Sequence, residues 1–157
     1  MGVVLARIDA RLVHGMVVTQ WARKVSAKRI MVVDDGVAKD EPRKAAMRLS
    51  KPAGTGMSLI DTETAITNFN AGKYDNHNVL LVVDNVEKLH ELVDQGVKIP
   101  KVNIGIMRDT EERTKYEKNF AATDEEMALL KELEDKGIPV SYQFVPNDAE
   151  IPLSKFL

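Results

Sequence analysis

The sequence contains no cysteine. That absence removes disulfides, thiolate metal sites and a cysteine nucleophile from consideration, and it fits a reducing compartment such as the cytoplasm. Neither sign of charge dominates, because 22 Lys and Arg stand against 24 Asp and Glu for a formal net charge of -2. No large field is therefore available to attract nucleic acid or an anionic membrane, and nucleic acid is not expected as a partner. No stretch approaches the roughly 20 apolar residues that a membrane span requires, so any part in transport would be played from the water phase beside a separate membrane partner. The apolar run after Met1 is too short for the central region of a signal peptide, and Ala6 stands where an acylation signal would need Ser or Thr. Gly-rich dinucleotide and P-loop motifs are missing, and no cofactor or metal is expected. One Trp and three Tyr mark no obvious dimer patch; homo-oligomer formation is left open.

What is present is enough apolar material, 44% of 157 residues, to bury the core of one domain spanning 1-157. Short runs rich in Val, Ile and Leu read as strands at 3–8, 29–33, 57–60, 79–83, 101–104 and 140–145. The unbroken run Val79-Leu80-Leu81-Val82-Val83 is that of a parallel strand covered on both faces. Helical segments lie between. Asp40 with Pro42, Asp61 or Thr62, and Thr123 with Glu126 supply starts, while Gly96 and Gly137 supply stops. Residues 107–122 are too polar for a core strand and read as a hairpin or an exposed flap. The alternation predicts an open, mainly parallel α/β sheet with helices on both faces, whose functional site lies beyond the carboxyl ends of the strands.

The first strand leads directly into the richest segment, Arg7-Ile8-Asp9-Ala10-Arg11-Leu12-Val13-His14-Gly15. An imidazole with an ordinary pKa of about 6.5 is a competent nucleophile near neutrality. Arg7 and Arg11 offer donor forks that match phosphate oxygens, and the amides opening the next helix would face a bound anion. Gly15 lets the backbone come close to such a group. Asp9 would orient an arginine or the ring N–H of His14, since its charge repels phosphate. These residues define a candidate phosphoryl-transfer site, although a surface histidine beside a solvated ion-pair cluster is the plainer alternative.

This run, with Val17-Val18-Thr19 and Trp21 after it, resembles the active-site signature of a known family: the enzyme IIB subunits of the mannose/fructose/sorbose branch of the bacterial phosphoenolpyruvate-dependent sugar phosphotransferase system. The likeness continues through Val32-Val33-Asp34-Asp35, Val102-Asn103-Ile104-Gly105, Ala122 to Glu126, Gly137-Ile138, Val145-Pro146 and Asp148. The resemblance implies a cytoplasmic carrier, associated with its permease at the membrane. His14 would accept a phosphoryl group on Nδ1 from the phosphohistidine of a IIA subunit or domain, then pass it to a sugar held by the IIC and IID membrane subunits. Arg7, Asp9 and Arg11 occupy the positions of the family's charged loop residues. Met16 stands where glutamine is common and Ile106 where a second glycine is common. The sugar could be mannose, fructose, sorbose or an N-acetylated hexosamine.

Two other readings compete. Asp34-Asp35-Gly36 and Asp84-Asn85 invite comparison with the acidic magnesium site of a receiver domain phosphorylated on a carboxylate, although loop caps are the plainer assignment. A small sugar-phosphate isomerase would need an acid/base pair and no covalent phosphorylation. His77 and His90 lack metal-ligand spacing and read as surface residues; Trp21 and the methionines at helical spacing read as core.

Overall fold

The computed structural model describes residues 2–157. The chain runs β1 (Gly2–Asp9), α1 (Gly15–Lys24), β2 (Arg29–Val33), α2 (Asp35–Ala38), α3 (Glu41–Arg48), β3 (Gly56–Ile60), α4 (Thr62–Asn70), β4 (Asn78–Val83) and α5 (Val86–Asp94). It continues through β5 (Val102–Ile106), β6 (Thr114–Glu117), β7 (Phe120–Ala122), α6 (Asp124–Asp135), β8 (Val140–Tyr142), β9 (Ile151–Pro152) and a final 3-10 turn, Leu153–Phe156. The main sheet has the order β3-β2-β4-β1-β5-β8-β9, with every pair parallel except the antiparallel β8 and β9.

Right-handed crossovers dictate which helix covers which face. The connections β1 to β2 and β2 to β3 run one way along the sheet, whereas β3 to β4, β4 to β5 and β5 to β8 run the other way. The apolar clusters divide accordingly. Val18 and Trp21 of α1, Val37 of α2 and Met47 of α3 pack with Leu5, Ile30, Val32, Leu80 and Val82. Ala65 of α4, Leu89 of α5 and Leu130 of α6 pack with Ala6, Ile8, Met31, Val33 and Leu81. Alternate residues of β1, β2 and β4 thus enter opposite cores, as the twofold strand period requires.

The same topology locates the functional edge. The chain leaving β1 turns toward β2, while the chain leaving β5 turns toward β8, so the two loops part at the carboxyl ends of neighbouring strands. This is the switch-point crevice of an open α/β sheet.

Helix starts follow local chemistry. Asp34, Asp40, Asp61 and Asn85 each accept a backbone N–H at the first turns of α2, α3, α4 and α5, and Thr123 with Glu126 forms a reciprocal capping box on α6. Other expectations are corrected. The segment 107–122 contains the β6–β7 hairpin, but Phe120, Ala121 and Ala122 are buried, so its second strand joins the core. The expected strand 140–145 pairs only over Val140–Tyr142. His90 is held between α5 and α6, with Nδ1 3.1 Å from Asp94 and Nε2 2.7 Å from Glu132, and is not a free surface residue. Met16 is 71% exposed and outside the core.

The carboxylates after β2 and β4 are tied by a cation from α5. Lys88 Nζ lies 2.7 Å from Asp34 and 3.5 Å from Asp84. Burial alone would raise the Asp34 carboxyl, but hydrogen bonds from Lys88 and the Val37 amide, with the Lys88 charge, hold it below the ordinary value of 3.8. Burial likewise lowers Lys88, and its bond to Asp34 and the nearby Asp84 charge outweigh that effect. Asp34's depressed value stabilises the fold above the ordinary carboxylate range, and the contribution disappears as pH falls through the depressed value. Lys88→Met is expected to lower unfolding free energy by about 1–2 kcal/mol near pH 7, after allowance for partial exposure. Urea titration should show the gap between variant and wild type closing as pH falls below 3.8; a gap that widens there would contradict this ion-pair assignment.

Candidate functional site

Along β1 the residues alternate so that Leu5, Arg7 and Asp9 face α1 while Ala6 and Ile8 face the opposite core. An arginine inside that layer must be desolvated, and the structure gives it a full set of contacts. Arg7 is 1% exposed. Its Nε and Nη2 donate to Asp9 Oδ2 at 3.3 and 3.2 Å. Its Nη1 donates to Asn103 Oδ1 at 2.6 Å and to the Gln143 carbonyl at 3.4 Å. The guanidinium carbon lies 5.5 Å from the centre of the Trp21 ring and 5.9 Å from that of Phe144, adding cation–π attraction. Desolvation lowers the Arg7 pKa from its ordinary value, opposed by the charge and hydrogen bonds of Asp9.

This placement corrects the expectation that Arg7 presents its fork to a phosphate group. The side chain is buried and its donors are engaged inside the protein. Space for it comes from β5: a Cβ on Gly105 would lie 2.1 Å from the Arg7 guanidinium carbon. A side chain there would have to displace the arginine.

Asp9 carries the clamp into the loop. While Oδ2 holds Arg7, Oδ1 accepts the Arg11 backbone N–H at 2.8 Å, and the Asp9 carbonyl accepts the Leu12 N–H at 2.9 Å. The Ala10 N–H donates to the Ile106 carbonyl of β5 at 2.9 Å. These bonds fold residues 9–12 into a turn that puts Leu12 at φ 58, a left-handed conformation costing a non-glycine residue about 1–2 kcal/mol. Burial of Leu12 and Val13 in the α1-side core offsets that strain. Of the two orienting roles expected for Asp9, the structure shows the one toward arginine; its hydrogen bonds go to Arg7 and the loop backbone.

The loop delivers His14 to the surface. His14 is exposed and takes the N-cap position of α1 in extended conformation, without using its side chain as a cap. Gly15 follows at φ 54. A Cβ at Gly15 would meet no protein atom within 4 Å, so the backbone angle, not crowding by the chain, explains glycine here. The first turn of α1 has neither a side-chain cap nor an acidic residue, unlike α2 through α6. Its amides can serve an anion from outside.

Arg11 is the accessible cation of the loop. Its side chain is 27% exposed, and its Nε stands 4.0 Å from Asp9 Oδ1. That Nε has no hydrogen-bond partner among the described residues. The structure therefore brings His14, Gly15 and Arg11 to one exposed loop and withdraws Arg7 and Asp9 beneath it. The receiver-like carboxylates Asp34 and Asp84 are engaged by Lys88, and Asp34 also caps α2. Asn103, Gly105 and Gln143 had no assigned role in the sequence. The available signals were an amide and a glycine interrupting an apolar strand.

Fold and site together define a small open α/β domain with a charged histidine loop at its switch point. The family described as PTS system sorbose subfamily IIB component matches residues 3–157, and the chain belongs to that family. It is 32% identical to the fructose-specific EIIB component of Bacillus subtilis, over 95% of this chain and 91% of that protein. It is 33% identical to the mannose-specific EIIAB component of Escherichia coli, over 95% of this chain and 46% of that protein. The structure aligns with the IIB domain of the sorbose permease from Klebsiella pneumoniae at a TM-score of 0.92 and 29% identity, covering 99% of this chain and 96% of that one. The chain is thus a IIB component of the phosphotransferase system, and such components are phosphotransferases. No helix among the described residues is long and apolar enough to cross a membrane.

Gly105→Ala is expected to force the Arg7 guanidinium out of its contacts, leaving the Asp9 charge buried without its partner. Breaking such a pair costs about 3–5 kcal/mol. Urea denaturation should show a loss of that size; a loss below about 1 kcal/mol would mean that Gly105 does not make room for the clamp.

Proposed function

We propose that this IIB component carries its phosphoryl group on Nδ1 of His14. The observation supporting this most strongly is the placement of an exposed imidazole at the uncapped start of α1, on a loop fixed from below by a buried ion pair. A carrier must meet two proteins in turn, which an exposed loop permits. In the first step the Nδ1 lone pair attacks phosphorus of the donor's phosphohistidine. The new N–P bond forms as the donor's N–P bond breaks, and its electron pair remains on the donor nitrogen. In the second step a sugar hydroxyl oxygen attacks the same phosphorus, the His14 N–P bond breaks, and the hydroxyl proton passes to the released imidazole or solvent.

Arg11 and the first amides of α1 are the direct phosphate contacts in this account. Arg7 takes a positioning role, because its guanidinium is consumed by Asp9, Asn103 and the Gln143 carbonyl. Asp9 holds Arg7 and the loop, and Gly15 supplies the backbone angle at which α1 starts. The donor is a IIA component, and the acceptor is a sugar bound by the IIC and IID membrane subunits, to which this cytoplasmic protein docks. Relatives named for fructose, sorbose and mannose stand at 32%, 32% and 33% identity. Their near-equality supports assigning sugar choice to the membrane subunits.

Transfer from phosphorylated IIA, followed by quench-flow, tests the assignment. His14→Ala should abolish uptake while circular dichroism remains that of a folded protein. Arg11→Lys keeps the charge but loses the bidentate fork, and should slow transfer on the order of 100-fold. Undiminished covalent labelling of folded His14→Ala would overturn the carrier assignment; a full-rate Arg11→Lys would remove only the bidentate role of Arg11.

A further inference from the structure

Beneath the histidine loop lies an amide that phosphoryl transfer does not itself require. Asn103 sits within β5, 2% exposed, between the buried Val102 and Ile104. An unpaired carboxamide there would be destabilising, because its lost hydrogen bonds to water would go unreplaced. Both of its ends are paired: Oδ1 accepts from Arg7 Nη1 at 2.6 Å, and Nδ2 donates to the Gln143 carbonyl at 2.9 Å. Each partner has a single polarity, since a guanidinium only donates and a carbonyl only accepts. One orientation of the amide satisfies both.

The second bond reaches toward α1. Gln143 follows β8 directly, and the next residue, Phe144, offers its carbonyl to Trp21 Nε1 at 3.0 Å and its ring to Arg7. Trp21 belongs to α1, whose first residue follows His14. The Asn103 side chain therefore touches both supports of the histidine: the Arg7–Asp9 clamp that shapes the loop before it, and the 143–144 backbone that braces the helix after it.

We infer that Asn103 is a positioning residue for phosphoryl transfer, acting through Arg7 and the Gln143 carbonyl on the placement of the His14 ring. The inference rests on the reading of His14 as the phosphoryl acceptor. Neither a leucine nor an aspartate can replace the amide. Asn103→Leu approximates its volume and removes both bonds. Asn103→Asp retains an oxygen for Arg7 but sets an acceptor against the Gln143 carbonyl, and it adds a second carboxylate competing with Asp9 for the guanidinium.

Two readouts on the full chain test this. In single-turnover transfer from phosphorylated IIA, Asn103→Asp should be slowed by about tenfold and Asn103→Leu by about 100-fold, the order of loss that follows small misplacement of reacting groups. The dependence on donor concentration should stay within about twofold of wild type, because the docking surface is intact. Independently of any donor, the ¹⁵N and ¹H signals of the His14 ring should move in both variants, a response that a purely structural core residue would not produce. Thermal melting identifies a variant that does not fold, and Asn103→Asp decides the matter if Asn103→Leu fails that control. A cooperatively folded Asn103→Asp with wild-type transfer rate and unmoved His14 ring signals would overturn the inference. So would a rate loss confined to donor affinity. A wild-type chain that takes no phosphoryl group on His14 would instead contradict the carrier assignment, while the ring signals would still report on positioning.

Discussion

The ion pair between Arg7 and Asp9 sets the conditions for everything around it. Both residues are buried at the end of β1, where an uncompensated charge would be costly, so each needs the other and every remaining polar atom needs a partner. Arg7 finds its further partners on β5 and after β8. Asp9 uses its second oxygen to bend the chain at Arg11. The strained angle at Leu12 and the exposure of His14 follow from that bend and from burial of Leu12 and Val13 in the α1-side core. A buried pair of this kind is weak evidence of added stability. Its contribution here is geometric, since it fixes the direction in which the loop leaves the sheet.

Topology explains why such a clamp occurs at β1. The strand lies inside the sheet, with β4 on one side and β5 on the other, so a charged residue on its α1 face is covered by strand neighbours and by α1 together. The connections from β1 and β5 depart in opposite directions, leaving room for an exposed loop directly above buried groups. Rigid support below and access above are what a side chain needs if it must meet two proteins in succession and keep its aim.

Much of this was legible in the sequence because the relevant physics is local. Asp40, Asp61 and Thr123 with Glu126 announce helix starts within a few residues, and the structure uses each of them as a cap. The apolar run at 79–83 identified a strand covered on both faces, and β4 is buried on both. What was not legible depends on residues far apart in the chain. Val140 to Val145 looks like a strand throughout, yet pairing stops at Tyr142, and the carbonyls of Gln143 and Phe144 serve Arg7, Asn103 and Trp21 instead. Arg7 looks equivalent to Arg11 in sequence, although the alternation along β1 already pointed it inward with Leu5. Its burial against Asn103 and Gly105 required the partner strand, 96 residues away at Asn103.

On the proposed reading of His14 as the phosphoryl acceptor, the buried clamp aims one of its ring nitrogens at phosphorus. Heteronuclear NMR of the chain labelled with ¹⁵N-histidine and phosphorylated through its donor reads this directly. Phosphorus coupling to Nδ1 of His14 is expected, with the Arg7 Nε–H signal protected from solvent exchange both before and after phosphorylation. Coupling at another histidine, or an acyl phosphate with no histidine coupling, would contradict it.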